Sequence, residues 1–511
     1  MSAQTKPKKG LMDRFLNFVE WSGNRLPDPI IIFFSLCVAV LVLSAIAGLT
    51  GWSAVHPGTG ETLTAVNLLT VDGMRIVVGD SAKTFGSFAP LAVVLIVMLG
   101  IGVAERSGWF QVALHRAASS APKVLIIPTI AFLGLLGNIA GDAAPIVLPP
   151  LSAMIFLGMG WHPLAGVALA YAAATGGFAA NLMLGMSDAL VQGFTQPAAE
   201  LIDPTIQTNV AMNWYFIAAS VVVLLPVLWV ITTKVTMPRL GAYDPAEGAD
   251  IDTAPVDVTE RQRKANRWAF ISILIFVVAI VAICIPGNSF MRNAETGSLT
   301  TASPLMNGIG LLIAIFFFIP GLVYGLIAGT IKESRDVTRM MTESMAQMAS
   351  FIVIVFFASQ MLSYITASQM GAILAIKGAE LLQGSHGVVL IIGIIAISAF
   401  INIFIGSASA KWAILAPIFV PMVMVLGYHP AFTQMIYRIG DAITNPITPM
   451  FPYFALVLAV AQRYQKKLGM GTFIATLLPY SIALGIVWTL LMIIWYLLGF
   501  PVGVEGPIYL S

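Results

Sequence analysis

The sequence predicts an all-α polytopic membrane protein with nine transmembrane helices and two opposed re-entrant hairpins, arranged as an inverted structural repeat. Three observations lead to this fold class: an apolar composition, a proline-rich motif that occurs twice, and alternating basic and non-basic loops. Of the 511 residues, 58% are hydrophobic and 10% are charged, and the mean hydropathy is +0.90. Because a soluble domain carries about 25% charged residues, this surface is suited to a lipid bilayer. The net charge of +2, without a basic stripe, gives no indication of nucleic-acid binding.

The repeated motif divides the chain into two halves. Residues 144–149 read Ala-Pro-Ile-Val-Leu-Pro and precede a Gly-Trp-His-Pro at 160–163, while 416–421 read Ala-Pro-Ile-Phe-Val-Pro and precede a Gly-Tyr-His-Pro at 427–430. Proline interrupts helices, and a membrane chain that repeats its helix-breaking pattern is typical of secondary transporters. Chance similarity among 29 prolines and 45 glycines is the alternative.

Seven apolar spans reach the roughly 20 residues that cross a bilayer. They are Asp28–Thr50, Phe88–Ala104, Trp214–Thr233, Trp268–Pro286, Met306–Ala328, Ala346–Thr366 and Thr472–Phe500. Two longer apolar regions, 123–195 and 386–460, contain the repeated motif.

Basic residues predict the orientation, because Lys and Arg remain on the cytoplasmic side. They cluster in the N-terminal tail and in 106–123, 234–267, 332–339 and 463–467, whereas the intervening connections are poor in them. We therefore expect a protein of the inner membrane, with a cytoplasmic N-terminus and an extracytoplasmic C-terminus.

The two long apolar regions must each cross the membrane an odd number of times. Lys123 is predicted inside and the loop 196–213, which has no Lys or Arg, outside, yet the region between is long enough for more than two crossings. A hairpin followed by one broken helix satisfies both conditions in each half. The predicted organisation is an N-tail at 1–27, a first repeat at 28–233 (hairpin about 124–158, broken helix about 161–195), a cytoplasmic loop at 234–267, a linking helix at 268–286, a second repeat at 306–500 (hairpin about 388–427, broken helix about 430–460) and a tail at 501–511.

The hairpin tips are rich in small and polar residues. Non-helical backbone in a membrane is tolerated only where protein or a water-filled cavity satisfies its polar groups. We therefore expect the polar tip residues to face substrate or a coupling ion: Asn138, Asn402, Ser407 and Ser409. The alternative is that small residues there only allow close helix packing.

The crossing helices after the hairpins also contain breaks, at 175–181 and at 444–449. Half-helix N-termini suit anionic substrate groups, and C-termini suit Na⁺ or a proton carrier. Predicted helix-break or gating residues are Gly176, Gly177, Pro430, Pro446 and Pro449. Asn181 and Asn445 join Asn138 and Asn402 as substrate or coupling residues and as candidate Na⁺ ligands. For 444–449 a simple kink is the alternative.

Three charges lie within the two predicted broken helices: Asp188, Arg438 and Asp441. Each costs at least ~2.5–3.5 kcal/mol at the bilayer centre. Arg438 and Asp441 are spaced i, i+3, so they project from one helix face and can pair. We expect Arg438 to meet a carboxylate or sulfonyl group, and Asp441 or Asp188 to carry the coupling ion, H⁺ in preference to Na⁺, with no other cofactor. A structural ion pair is the alternative.

Trp412 is a further candidate, because its ring could stack on an aromatic substrate. Packing or interface anchoring is the alternative. His162 and His429 are interpreted as boundary residues at the ends of the hairpins.

Two segments, 407–422 (Ser-Ala-Ser-Ala-Lys-Trp-Ala-Ile-Leu-Ala-Pro-Ile-Phe-Val-Pro-Met) and 429–441 (His-Pro-Ala-Phe-x-Gln-x-x-x-Arg-x-x-Asp), strongly resemble the AbgT family of p-aminobenzoyl-glutamate transporters. Residues 178–188, 213–216 and 495–497 match it too, so the resemblance covers essentially the whole chain. It implies a bowl-shaped homodimer whose protomers have nine helices and two opposed hairpins.

The resemblance also implies transport of p-aminobenzoyl-glutamate, a folate breakdown product. Some family members are similar to exporters that expel sulfonamide antimetabolites with an ion gradient. The functionally important family positions carry over onto Asp188, Trp412, Pro430, Arg438, Asp441 and Pro449.

The sequence favours an ion-coupled exporter of such aromatic acids, with import by symport as the alternative. A passive channel and an intramembrane aspartyl hydrolase are remote alternatives. Gly141-Asp142 and Gly440-Asp441 lack the preceding glycine of the Gly-x-Gly-Asp protease signature, so we expect no enzymatic activity.

Overall fold

The computed structural model describes residues 29–55, 60–119, 122–137, 143–244, 248, 258–299, 303–382, 384 and 386–510. Within these ranges almost all regular structure is helical, which confirms the predicted all-α class. The single sheet of the described part is a two-stranded antiparallel hairpin, β1 (Ser53–Val55) and β2 (Thr62–Thr64).

The helices are numbered in chain order. The α-helices are α1 (Pro29–Thr50), α2 (Val71–Gly79), α3 (Ser81–Gly86), α4 (Ala89–Arg106), α5 (Trp109–Ser119), α6 (Ile126–Leu136), α7 (Ala143–Gly158), α8 (Pro163–Tyr171), α9 (Met186–Ala199), α10 (Trp214–Ile231), α11 (Met237–Leu240), α12 (Glu260–Cys284), α13 (Pro304–Asn307), α14 (Ile309–Ala328), α15 (Ser334–Gln347), α16 (Ala349–Ala367), α17 (Met370–Leu382), α18 (Gly387–Phe404), α19 (Ala408–Val425), α20 (Pro430–Ile443), α21 (Phe454–Tyr464) and α22 (Met470–Leu498). Short 3₁₀ segments occupy Lys123–Leu125 and Asn445–Ile447, and π-helical turns occupy Ala172–Gly176 and Thr232–Thr236.

Nine helical stretches of the described part are long and apolar enough to cross a membrane. Seven correspond to the seven spans predicted from hydropathy, and the other two are α18 and α19. The remaining apolar helices, in the first hairpin and the two broken helices, are shorter. Length alone therefore does not separate the arms of the second hairpin from full crossings, and the position of its tip is the informative feature.

Each half contains a helical hairpin followed by a broken helix. The first hairpin is α6 and α7, and its tip, with the predicted site residue Asn138, lies outside the described residues. The second hairpin is α18 and α19. The first broken helix is α8, the π-turn and α9; the second is α20, the 3₁₀ turn and α21. Both broken helices begin in the same way, because Nδ1 of His162 and of His429 accepts a hydrogen bond from the amide two residues later, at 3.3 and 3.2 Å.

The second hairpin ends beside the break of the helix that follows it. The Thr448 hydroxyl donates to the Ile403 carbonyl at 2.7 Å, and Gly406 lies so close to the Met450 carbonyl that a side chain would collide with it. The tip thus stops partway along the second broken helix, as a re-entrant hairpin does.

The two repeats interlock around the broken helices. α9 packs on α19 of the other repeat, and α21 packs on α7. The two breaks meet, since a Cβ atom at Gly176 would lie 2.9 Å from Cγ of Pro446. Every residue of α8 and α20 is buried, so the broken helices form the centre of the protein.

Three connections differ from the prediction. Residues predicted as loops form the helices α5 and α17, which precede the two hairpins. The linking helix α12 begins at Glu260 rather than at 268, because Thr259 and Gln262 form a capping box there.

The C-terminal tail is packed rather than free. Its backbone exchanges hydrogen bonds with two connections: the Phe216 amide donates to the Val502 carbonyl at 3.0 Å, and the His429 amide donates to the Ile508 carbonyl at 2.9 Å. These contacts satisfy polar backbone groups that hydropathy does not reveal.

Candidate functional site

A cavity of about 190 Å³ lies where the two repeats meet. Four helices begin at its wall: α7 beside Pro145, α9 beside Ser187, α19 beside Ser409 and α21 after Tyr453. A helix N-terminus carries a partial positive charge and free amides. Four such ends around one cavity favour an anionic group inside it.

The first buried ion pair joins the repeats. Nη1 of Arg438 on α20 lies 2.7 Å from Oδ1 of Asp188 on α9, and both side chains are almost fully buried. The other oxygen of Asp188 accepts the Gly185 amide at 2.8 Å, which fixes the carboxylate at the start of α9. Arg438 also lines the cavity. The pair is therefore positioned to exchange Asp188 for another anion.

The second buried ion pair lies within the second repeat. Nζ of Lys411 on α19 lies 2.5 Å from Oδ1 of Asp441 on α20, and the lysine side chain is 1% exposed. The ammonium also donates to Oδ1 of Asn402. The predicted Arg438–Asp441 pair is therefore wrong. The i, i+3 spacing places them on one face of α20, but each finds a closer partner on a neighbouring helix.

Asn402 connects the second hairpin to both helix breaks. Its Nδ2 lies 2.6 Å from the Asp441 carbonyl, 2.9 Å from the Thr444 hydroxyl and 2.8 Å from Oδ1 of Asn445. Nδ2 of Asn445 in turn donates to the Thr175 carbonyl of the first break at 3.1 Å. This chain of amides links the second hairpin to both broken helices.

Trp412 is not exposed to the cavity in this conformation. Its ring is fully buried and stacks on Tyr437, with ring centroids 4.2 Å apart and planes inclined by 23°. Its Nε1 donates to the Val191 carbonyl at 3.1 Å and to the Thr195 hydroxyl at 2.9 Å. The structure therefore gives the ring an internal stacking partner in place of the expected substrate.

Tyr437 lines the cavity, and its hydroxyl lies beside the second ion pair. It donates to the Ala408 carbonyl at 2.8 Å and lies 3.4 Å from Oδ1 of Asp441. A tyrosine in an apolar run gave no signal in the sequence.

The remaining predicted residues fall into two groups. Ser407 caps α19, accepting the Ala410 amide at 3.3 Å, and its hydroxyl lies 3.2 Å from that of Ser409, which lines the cavity. Asn181, by contrast, caps its own turn by accepting the Met183 amide at 3.3 Å. The structure thus joins Asn402 with Asn445 and does not bring Asn181 to them.

The predicted break residues lie in or beside the interruptions. Gly176 ends the π-turn and Gly177 follows it, Pro430 opens α20, Pro446 lies in the 3₁₀ turn, and Pro449 follows that turn.

Among the described residues, no group of three His, Cys, Asp or Glu side chains could hold a metal ion. Asn402 and Asn445 are thus the two predicted Na⁺ ligands that contact each other, and Lys411 already donates to Asn402.

Sequence reasoning missed one further polar chain beside Trp412. The Thr195 hydroxyl donates to Oε1 of Gln434 at 2.5 Å, and Nε2 of Gln434 donates to Oδ1 of Asn213 at 2.5 Å. Lys411 was also left without a role, although a lysine in a hairpin tip is a signal in itself.

Three comparisons place these features among known proteins. The family model described as the AbgT putative transporter family matches residues 14–510. The p-aminobenzoyl-glutamate transport protein of Escherichia coli (strain K12) is 37% identical over 505 residues, which is 98% of each chain.

Two solved structures share the fold. The YdaH transporter of Alcanivorax borkumensis, described as having an unusual topology, is 40% identical, with a TM-score of 0.89 over 93% of this chain and 100% of that one. MtrF of Neisseria gonorrhoeae, described within a class of antimetabolite efflux pumps, is 39% identical, with a TM-score of 0.90 over 97% and 100%.

Proposed function

Because this chain belongs to the AbgT family of membrane transporters, we propose that it exports p-aminobenzoyl-glutamate and related aromatic acids, including sulfonamide antimetabolites, by H⁺-coupled alternating access. The observation that carries the proposal is the pair of buried ion pairs, Asp188–Arg438 and Lys411–Asp441, beside a cavity at four helix N-termini. The chain is a transporter and not an enzyme, as its family is.

Substrate recognition uses the positive side of the cavity. Arg438 offers a planar fork that matches a carboxylate or sulfonyl group, and the helix N-termini add further amides. At about 190 Å³ the cavity is smaller than the ~300–1,000 Å³ of ligand pockets. The wall of the cavity therefore has to open to admit substrate.

The position of Asp441 in the cavity wall supports the proposal of export in exchange for protons. p-Aminobenzoyl-glutamate and the sulfonamide antimetabolites share a 4-aminophenyl group. Its amine donates its strongest hydrogen bond to an ionised carboxylate. A proton on Asp441 competes with that hydrogen bond, so proton and substrate bind alternately, as in an antiporter.

Import by symport is the second candidate function, and the Asp188–Arg438 pair favours it. A proton on Asp188 would release Arg438 for a substrate carboxylate, so that proton and substrate bind together. Protonation of Asp188 therefore predicts symport, whereas protonation of Asp441 predicts antiport.

Transport by the purified protein in proteoliposomes distinguishes the candidates. An acidic lumen drives uptake of labelled p-aminobenzoyl-glutamate if protons and substrate exchange, whereas an acidic exterior drives it in symport. Sodium gradients at constant pH provide the parallel test for Na⁺. Absence of counterflow under every gradient contradicts the proposal.

We also propose a homodimer in the inner membrane with a cytoplasmic N-terminus and an extracytoplasmic C-terminus. Chemical cross-linking in membranes and labelling of tags at the two termini of intact cells test this arrangement. Monomers in native membranes, or a labelled N-terminus, would contradict it.

A further inference from the structure

Lys411 is located where a free cation would be expected. Its ammonium contacts Oδ1 of Asp441 and Oδ1 of Asn402, at the C-terminal end of α20. A half-helix C-terminus coordinates Na⁺ in broken-helix transporters, and carboxylate and amide oxygens are the ligands that hard cations prefer.

The position of Lys411 on its own helix is unfavourable. It lies in the first turns of α19, where the partial positive charge of the helix end repels a cation. A buried lysine there is explained by what its side chain reaches rather than by α19 itself.

We propose that Lys411 is a resident cation, which occupies the Na⁺ position beside Asp441 and makes the transporter independent of Na⁺. The inference deepens the proposed function and rests on it only for the transport readout, because cation binding is measured without substrate. The four charges Asp188, Arg438, Lys411 and Asp441 sum to zero, so the site needs no further cation.

Replacing the lysine tests whether its ammonium fills a cation position. Lys411→Ala removes the charge and opens the space, leaving Asp441 and Asn402 free to bind Na⁺. Lys411→Met removes the same charge but keeps the space filled. Lys377→Ala is the matched control, because Lys377 forms a half-exposed pair with Glu380 at 3.5 Å and is not part of the buried ion pairs.

Thermal midpoints of the purified proteins in detergent are compared in NaCl and in KCl at equal ionic strength. We expect a saturable, Na⁺-specific rise for Lys411→Ala alone, and its loss when Asp441→Asn is added. A Na⁺-specific rise for the wild type, an equal rise for Lys411→Met, or none for Lys411→Ala overturns the inference.

Transport provides a separate readout. Wild-type counterflow is expected to be the same in Na⁺ and K⁺, whereas residual transport by Lys411→Ala is stimulated severalfold by Na⁺. If the wild type shows no transport at all, the proposed function fails while the binding result still stands. If Lys411→Ala does not fold, the comparison of the wild type in Na⁺ and in K⁺ still tests the inference, because any Na⁺ dependence of the wild type contradicts a resident lysine.

Discussion

The two broken helices share a backbone plan and differ in charge. Counted from the two His-Pro pairs that begin α8 and α20, Tyr171 stands where Arg438 stands, and Ala174 stands where Asp441 stands. The first helix fills its centre with an aromatic ring, which packs against Phe473 at a centroid distance of 6.2 Å. The second fills it with ion pairs.

This difference shows that the repeat conserves a shape rather than a site. Both halves contain a hairpin and a break, and such non-helical backbone inside the membrane is tolerated only where protein or a water-filled cavity satisfies its polar groups. Among the described residues, the first repeat contributes one buried charge, Asp188, and the second contributes three. We therefore propose that the coupling chemistry is concentrated in the second repeat.

Breaking the ion pair that joins the repeats is expected to have the largest effect. Arg438→Met leaves Asp188 buried and unpaired, which costs about 3–5 kcal/mol and abolishes counterflow. Thermal unfolding in detergent and counterflow in proteoliposomes measure the two effects. Arg263→Met is the control: its pair with Glu260 is exposed and worth about 0–1 kcal/mol. Equal effects of the two substitutions would contradict the importance of the buried pair.

Truncating Trp412 tests whether its role is internal packing. Trp412→Ala is expected to cost about 3–5 kcal/mol, because the ring is fully buried on Tyr437. Trp412→Phe keeps the stack and loses a hydrogen bond, at about 0.5–1.5 kcal/mol. Thermal midpoints measure both. If the ring acted mainly on substrate, Trp412→Ala would instead lower the apparent affinity for p-aminobenzoyl-glutamate without lowering the thermal midpoint.

The fold class could be predicted from the sequence because it depends on features that can be read from short segments, namely apolar length, proline positions and loop charge. The prolines of the two motifs and the parity of the basic loops place both hairpins and both breaks. Packing partners are another matter: Arg438 and Asp441 are neighbours on α20, yet their partners, Asp188 and Lys411, lie far away in the chain. Helix spacing cannot rank a neighbour against such a competitor.

The sequence also could not separate the asparagines that contact other helices from those that do not. Asn402 and Asn181 are equivalent by sequence pattern, each being an amide near a glycine. The Asn402 side chain is hydrogen-bonded to another helix and to its break, whereas the Asn181 side chain accepts an amide of its own turn. Hydropathy also gave no sign of the packed C-terminal tail, whose contacts are made by backbone amides and carbonyls.

Substituting the two asparagines compares the repeats again, and the expected loss of stability is smaller than for Arg438 or Trp412. Asn402→Ala removes the link among Lys411, Asp441 and Asn445, at about 1–3 kcal/mol for the polar groups left unsatisfied, and slows counterflow. Asn181→Ala is expected to cost less, because it removes one bond of a local turn. Thermal unfolding ranks the two, and the reverse order would contradict the link.

The smallest effect is expected at Tyr171. Its hydroxyl is buried, with no hydrogen-bond partner among the described residues. Tyr171→Phe should therefore leave counterflow unchanged and leave the thermal midpoint equal or higher, since an unsatisfied buried hydroxyl costs about 1–3 kcal/mol. Loss of transport would show that the first repeat also carries chemistry.

Asp441→Asn tests most directly whether the second repeat carries the coupling. Asparagine keeps an oxygen for Lys411 but cannot exchange a proton. In proteoliposomes, we predict that this variant retains counterflow of p-aminobenzoyl-glutamate and loses uptake driven by a proton gradient. Gradient-driven uptake at the wild-type rate would contradict the assignment of coupling to Asp441.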